Sequence, residues 1–234
     1  MVFDGALGQI LLIGTSAGTP TAGSWLYNGR SWKRISTRTP PRLGGDTPVA
    51  WYDQVRKSVL VTGVSNTHVW SYSSAGWRRQ ADRPVGVVEG ATFDLEAGAA
   101  VVLMSDGFGG MDTWHVKGDA WSQGSAAGIP APLGSGYQLV DDGDGVLAIG
   151  VPVAQLATLA FAFDGSSWRA VSMQDAPGPL LDAAVTRSNT TGDVLLFGGR
   201  SETPAKAFGA MWLDRDQSWR VALPGSSARI NGCR

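Results

Sequence analysis

The sequence predicts an all-β fold of five repeated four-stranded sheets closed into a ring. Three observations predict it. First, an aromatic pair recurs at a seven-residue offset: Trp25 and Trp32, Trp70 and Trp77, Trp114 and Trp121, Phe161 and Trp168, Trp212 and Trp219. The second aromatic falls at 32, 77, 121, 168 and 219, a period of 44 to 51 residues, and nine of the ten tryptophans belong to this ladder. Second, each pair follows a short apolar run of strand character, with another short segment before it. Third, no stretch has the 3.6-residue apolar spacing of an amphipathic helix.

The elements follow in order. The segments before the runs are 1–4, 49–53, 90–94, 137–141 and 183–187, and four of the five end in Asp. The runs are 9–14 (QILLIG), 58–63 (SVLVTG), 100–106 (AVVLMSD), 145–150 (GVLAIG) and 193–199 (DVLLFGG). Short β-branched runs that end in glycine read as buried strands. The aromatic pair then marks a third and a fourth strand. Opposed residues of a hairpin share a constant index sum, so the offset places each pair directly across a tight turn. That turn centres on Asn28-Gly29 in the first repeat, Asp164-Gly165 in the fourth and Lys117-Gly118 in the third; Asn-Gly and Asp-Gly are favoured two-residue hairpin centres. Ser73-Ser74 and Arg215-Asp216 depart from this pattern. Loops around Pro40-Pro41, Pro84, Pro130, Pro177 and Pro224 separate the repeats.

Four short antiparallel strands per repeat at this period make a β-propeller blade, and one blade cannot bury both faces of its sheet without stacked neighbours. The expected domain is 1–234 as a single five-bladed propeller. The chain starts inside a first strand, and 224–234 matches the loop that precedes one, so residues 225–231 are expected beside residues 1–4. A closed ring leaves no edge strand exposed.

The pattern of a strand ending in Asp, an LLFGG-like strand, and an aromatic-rich hairpin resembles the Kelch repeat, in its tryptophan-rich bacterial form. Residues 191–219 carry the likeness best, and only Gly198-Gly199 keeps the double glycine. The resemblance implies a ligand site at the channel mouth built from the loops after the second and fourth strands. That family includes galactose oxidase, a sialic acid mutarotase and plant nitrile-specifier proteins, so it admits both binding modules and enzymes.

Composition narrows the partners. The formal net charge is −1, which draws the chain to neither nucleic acid nor an anionic membrane. No 18-residue apolar run suggests a membrane span. The lone Cys233 forms no internal disulfide, and the N-terminus has no basic region followed by an apolar core, so the expected location is cytoplasmic; a mature extracellular domain fits the same facts. No metal or cofactor motif appears. The stretch DDGDG (141–145) lacks the closing glutamate of a calcium loop and reads as a turn. A monomer is expected.

The mouth-side loops are 15–23, 64–67, 105–112, 151–158 and 200–209, with the inter-repeat loops beside them. The two histidines, His68 and His115, stand near equivalent points of adjacent repeats, close to Asn66, the acidic loop with Asp106 and Asp112, and the charged loop that begins at Arg200. Asn66, His68, Asp106, Asp112, His115 and Arg200 are therefore the expected ligand contacts. Trp51, outside the ladder, reads as packing between blades. Arg42, Asp46, Arg83 and Glu89 read as solvated loop charges. The function expected is a binding module for a small polar ligand, a glycan or a peptide. The alternative is an enzyme of isomerase, cyclase or lyase type using acid/base chemistry at the same mouth.

Overall fold

A computed structural model describes the chain apart from residues 15–20, 38, 126, 133–135, 153–156, 173–177, 203–204, 209–210, 216–217, 224–226 and 230–234; over 201–218 and 221–229 it describes the backbone. Cys233, Pro177 and Pro224 lie outside the described residues. The described chain is all-β. Blade 1 is β1 (Val2–Asp4), β2 (Gln9–Gly14), β3 (Gly23–Tyr27) and β4 (Trp32–Arg34). Blade 2 is β5 (Pro48–Asp53), β6 (Ser58–Gly63), β7 (Val69–Ser73) and β8 (Gly76–Arg79). Blade 3 is β9 (Val87–Asp94), β10 (Ala99–Ser105), β11 (Met111–Lys117) and β12 (Ala120–Gly124). Blade 4 is β13 (Gln138–Asp141), β14 (Val146–Gly150), β15 (Leu159–Phe163) and β16 (Trp168–Val171). All four are uninterrupted antiparallel meanders.

The fifth repeat corrects the expectation of five like blades in a closed ring. β17 (Ala184–Arg187) and β18 (Val194–Phe197) are followed by an inserted hairpin, β19 (Arg200–Glu202) and β20 (Ala205–Phe208), before β21 (Met211–Arg215) and β22 (Ser218–Leu223) rejoin the sheet in the order β17-β18-β21-β22. The last strand, β23 (Ser227–Arg229), pairs with β20 and makes a separate three-stranded sheet, β19-β20-β23. The segment expected to close a blade beside residues 1–4 thus completes the edge of this inserted hairpin, and the loop expected at 200–209 is two strands. A hairpin presents a free ladder of N–H and C=O groups, and a nearby extended segment satisfies it.

The chain divides into two compact units, one of Met1–Phe108 with Asp112–Gly124 and one of Gly109–Met111 with Ser125–Arg234. In the first, Leu11, Ile13 and Leu43 pack against Val59, Val61, Trp70, Tyr72 and Trp77, joining blades 1 and 2. Trp77 also donates its indole N–H to Ser24 Oγ at 3.1 Å. Trp51, Leu60 and Val69 pack against Val88, Phe93, Val102 and Met104, joining blades 2 and 3. Trp51 is 2% exposed, as its reading as packing requires. In the second unit, Val140, Leu147 and Ile149 pack against Leu180, Val194, Leu196 and Trp219.

The first hairpin of blades 1 to 3 turns on the Asp that ends the leading strand, Asp94 accepting the Ala97 N–H in blade 3. Asp4 Oδ1 accepts from the N–H groups of Ala6 and Leu7, and Asp53 Oδ1 from those of Val55 and Arg56. Capping its own turn offsets part of the cost of burying such a carboxylate; Asp4 Oδ2 is buried without a hydrogen-bond partner. DDGDG is also a turn, capped from the next position: Asp142 accepts the Asp144 N–H.

The aromatic ladder is shifted by one residue per strand from the expected register. Tyr27 faces Trp32 and Tyr72 faces Trp77, each with ring centroids 5.0 Å apart, and Phe163 faces Trp168 at 4.8 Å. Trp25 faces Arg34, Trp70 faces Arg79 and Trp114 faces Gln123. In blades 1 and 4 the reason lies in the turns. Asn28 Oδ1 accepts the Arg30 and Ser31 N–H groups, and Asp164 Oδ1 accepts those of Ser166 and Ser167. Asn28 and Asp164 therefore begin four-residue turns instead of sitting at the apex of two-residue ones, and Gly29 and Gly165 take the positive φ (91° and 90°) such turns need. Those donors hold the Asp164 carboxyl at a pKa of about 2.

The second aromatic of each pair differs in burial: Trp219, Trp168 and Trp77 are 3%, 4% and 8% exposed, whereas Trp32 is 47% exposed. Trp77→Ala or Trp168→Ala is expected to cost about 3–5 kcal/mol in urea unfolding, and Trp32→Ala about 1 kcal/mol. Equal losses at positions 32 and 77 would contradict this packing.

Candidate functional site

Blade 1 carries a cavity of about 720 Å³, lined among the described residues by Gly14, Gly23, Trp25, Arg34, Ser36 and Thr37, with Pro40 at its rim. Its shape follows from two adjacent rows across the sheet. Leu12, Trp25 and Arg34 form one row, and Gly14 with Gly23 form the next. Residues two apart share a face of a strand, so both rows lie on the face opposite Leu11 and Leu26. The glycines make the space. A Cβ on Gly23 would stand 2.5 Å from the Trp25 indole, and one on Gly14 would meet nothing within 4 Å. The indole thus lies across a bare stretch of strand. Trp25 is half-buried and Arg34 exposed. The result is an indole lying across a glycine, with Arg34 opposite it in register, both lining the cavity.

The equivalent position in blade 2 is filled. Trp70 faces Arg79, whose guanidinium lies 6.0 Å from the ring centroid. Arg79 also pairs with Asp82 and bonds the carbonyls of Val69 and Gln80. In blade 3 the row is Trp114 and Gln123, and Gln123 donates to Asp112 at 2.8 Å. Two residues before the tryptophan, the place of Gly23 is taken by His68 in blade 2 and Asp112 in blade 3.

The six residues singled out from the sequence fall into separate settings. Asn66 and His68 share a loop. Asp46 Oδ2 accepts the N–H groups of Ser65 (2.6 Å) and Asn66 (2.7 Å), Asn66 Oδ1 accepts that of His68 (2.7 Å), and His68 Nδ1 donates to the Arg42 carbonyl (3.2 Å). Asp106 caps its own turn through the Phe108 N–H. The histidines are not equivalent: His68 stands two residues before Trp70 and His115 one after Trp114, an odd difference that puts them on opposite faces of their sheets. A Cβ on Gly124 would stand 2.9 Å from His115 Nε2, so the imidazole covers that glycine. Arg200 belongs to the second unit, where Nε pairs with Asp182 at 2.7 Å and its backbone exchanges two hydrogen bonds with Leu181. Within the first unit the structure brings Asn66 and His68 together and holds His115 on another face.

Three residues read as solvated charges are structural. Arg83 is 3% exposed, and its guanidinium bonds Thr62 Oγ1 and the carbonyls of Gly63, Val64, Pro84 and Gly86. Asp46 holds the Asn66 loop. Glu89 sits in β9 at a register shift: Gly90 faces Leu103 and Val88 faces Met104, which leaves Glu89 as the extra residue of a bulge. It accepts the Ser105 hydroxyl at 2.6 Å. Burial raises its carboxyl above the ordinary range, against the opposing pull of Ser105. Sequence reasoning missed Trp25 and Arg34 as a pair. The available signal was the nine-residue Trp-to-Arg offset shared by 25/34 and 70/79.

No protein-family model matches the chain, and no curated protein matches it. Solved structures do. The chain is similar to the fucose-specific lectin of Aleuria aurantia, with 13% identity and a TM-score of 0.65 over 93% of this chain and 74% of that one. It is similar to the SapL1 lectin, solved in complex with alpha methyl fucoside, with 16% identity and a TM-score of 0.67 over 97% and 79%. It is also similar to TolB from Acinetobacter baumannii, with 13% identity and a TM-score of 0.59 over 97% and 54%. These likenesses show the fold, a β-propeller.

The bulged carboxyl gives a pH test. With its folded pKa raised, Glu89 binds a proton more readily in the folded chain than in the unfolded one, so stability falls as pH rises through and above the usual carboxylate range. Glu89→Gln keeps an acceptor for Ser105 and removes the charge. In urea unfolding the variant is expected to exceed the wild type at pH 7 and to equal it near pH 3, below the ordinary carboxylate pKa of about 4.3. A difference independent of pH would refute the assignment.

Proposed function

We propose that this protein is a carbohydrate-binding β-propeller, built from divergent Kelch-like repeats, and that its ligand enters the blade 1 cavity. One observation carries the reading: a half-buried indole lying across Gly23 and the exposed Arg34 opposite it in register line one cavity of about 720 Å³. A pyranose offers a C–H face that packs on an aromatic ring and a rim of hydroxyls for polar groups. Trp25 supplies the ring, and Arg34, Ser36 and Thr37 supply the rim. The whole-chain likeness to two lectins, one titled fucose-specific and one solved with alpha methyl fucoside, supports the same class of ligand.

In this reading Asn66, His68, Asp106 and Asp112 shape the loops of blades 2 and 3. Positions 68 and 112 carry side chains where blade 1 has Gly23, against which the Trp25 indole lies.

The test is a glycan-array screen followed by calorimetric titration of the best saccharide, with L-fucose and alpha methyl fucoside included. Trp25→Ala is expected to weaken binding by about tenfold or more, the loss of one aromatic contact of about 1.4 kcal/mol, with the melting temperature little changed. Gly23→Leu is expected to block binding by displacing the Trp25 indole. If no saccharide binds the wild type, or if Trp25→Ala binds as tightly as the wild type, the site is elsewhere.

A further inference from the structure

We propose that the blade 1 cavity selects a carboxylated pyranose, a uronic acid residue of an acidic glycan, over its neutral counterpart. The inference rests on the glycan-binding reading and deepens it. Its basis is a comparison of two equivalent pairs in the same chain. In blade 2 the pair Trp70 and Arg79 is completed by a carboxylate three residues after the arginine, Asp82. In blade 1 the pair Trp25 and Arg34 has the same register, but the residue three after the arginine is Thr37. The guanidinium that blade 2 neutralises internally has no ion-pair partner among the described residues of blade 1. Arg34 and Thr37 both line the cavity.

Charge distribution points the same way. From Gly5 to Gly45 the sequence holds Arg30, Lys33, Arg34, Arg38 and Arg42 and not one Asp or Glu, although the chain as a whole carries 20 acidic and 19 basic residues. Among the described residues that line the cavity there is no carboxylate to accept protons from sugar hydroxyls; the side-chain acceptors among them are hydroxyl oxygens. A guanidinium has five N–H donors and no acceptor. It bonds a carboxylate through two parallel hydrogen bonds, roughly twice as strong as neutral ones. A uronate stacked on Trp25 would present its carboxylate to Arg34, in the role that Asp82 plays for Arg79.

The experiment titrates the full chain calorimetrically at fixed salt with the methyl glycosides of galacturonic and glucuronic acid, their methyl esters, and the parent neutral glycosides. The acids are expected to bind about tenfold or more tighter than esters and neutral sugars, in keeping with a charge-assisted bidentate contact. Arg34→Gln should bring acid and ester level, and Arg34→Lys should fall between, since it keeps the charge and loses the fork. Thr37→Asp, which supplies the carboxylate that blade 2 has, should abolish the preference for acid over ester. Acid and ester bound equally by the wild type would overturn this inference and leave the proposed function standing. A sulfated pyranose bound in place of the uronates would overturn the assignment of a carboxylate. Failure of every saccharide would overturn the proposed function itself.

Discussion

The second strand of a blade is the element on which the structure depends. In β6, β10 and β14 every residue is buried, including those whose side chains alternate to opposite faces. A strand covered on both sides reads as a continuous apolar run, as SVLVTG and VLAIG do. No single sheet can provide that cover, so each blade requires another surface against it. The clusters between blades 1 and 2, and between 2 and 3, are this requirement met by Val59, Val61, Leu60 and Val102. Cross-strand aromatic pairs add about 0.5–1.5 kcal/mol each; burial of the middle strands stabilises the fold more.

Blade 1 departs from this rule on one face. In β2, Leu11 and Ile13 are buried, while Leu12 and Gly14 are only partly so. The less covered face is the one that carries Trp25 and Arg34. The same register that closes a tryptophan–arginine pair inside blade 2 thus leaves an equivalent pair beside a cavity in blade 1. Repetition supplies the scaffold, and the difference between two copies supplies the candidate site. Gly23 makes that difference physical, since any Cβ there would collide with the indole.

Several buried carboxylates are handled locally. Asp4, Asp53 and Asp94 are buried at turns and accept backbone N–H groups from residues two or three later. Arg83 is a buried cation. It is tolerated because carbonyls and one hydroxyl accept its N–H groups. This knot ties the loops after β6 and β8 together and fixes the start of β9, where the bulge at Glu89 follows.

Strand positions and the repeat were legible in the sequence, because both depend on local apolar patterning and on turn residues. The four uninterrupted blades follow from five aromatic landmarks at near-constant spacing. The hairpin register was not legible, because Asn28 and Asp164 can sit at a turn apex or cap a longer turn, and only the hydrogen bonds of their side chains decide which. The inserted hairpin β19–β20 and its pairing with β23 depend on a long-range contact that no local pattern encodes. The candidate site divides in the same way. Trp25 and Arg34 were visible as residues, but their shared row comes from register, and the space beside them from two glycines on neighbouring strands. Loop charges such as Arg83 and Glu89 looked solvated because sequence reports polarity and not burial. The sequence by itself determined the all-β class, the repeat and its middle strands; tertiary structure decided which charges are buried, which aromatic faces an arginine, and where a cavity is left, since each of these is set by what packs across a face and not by neighbours along the chain.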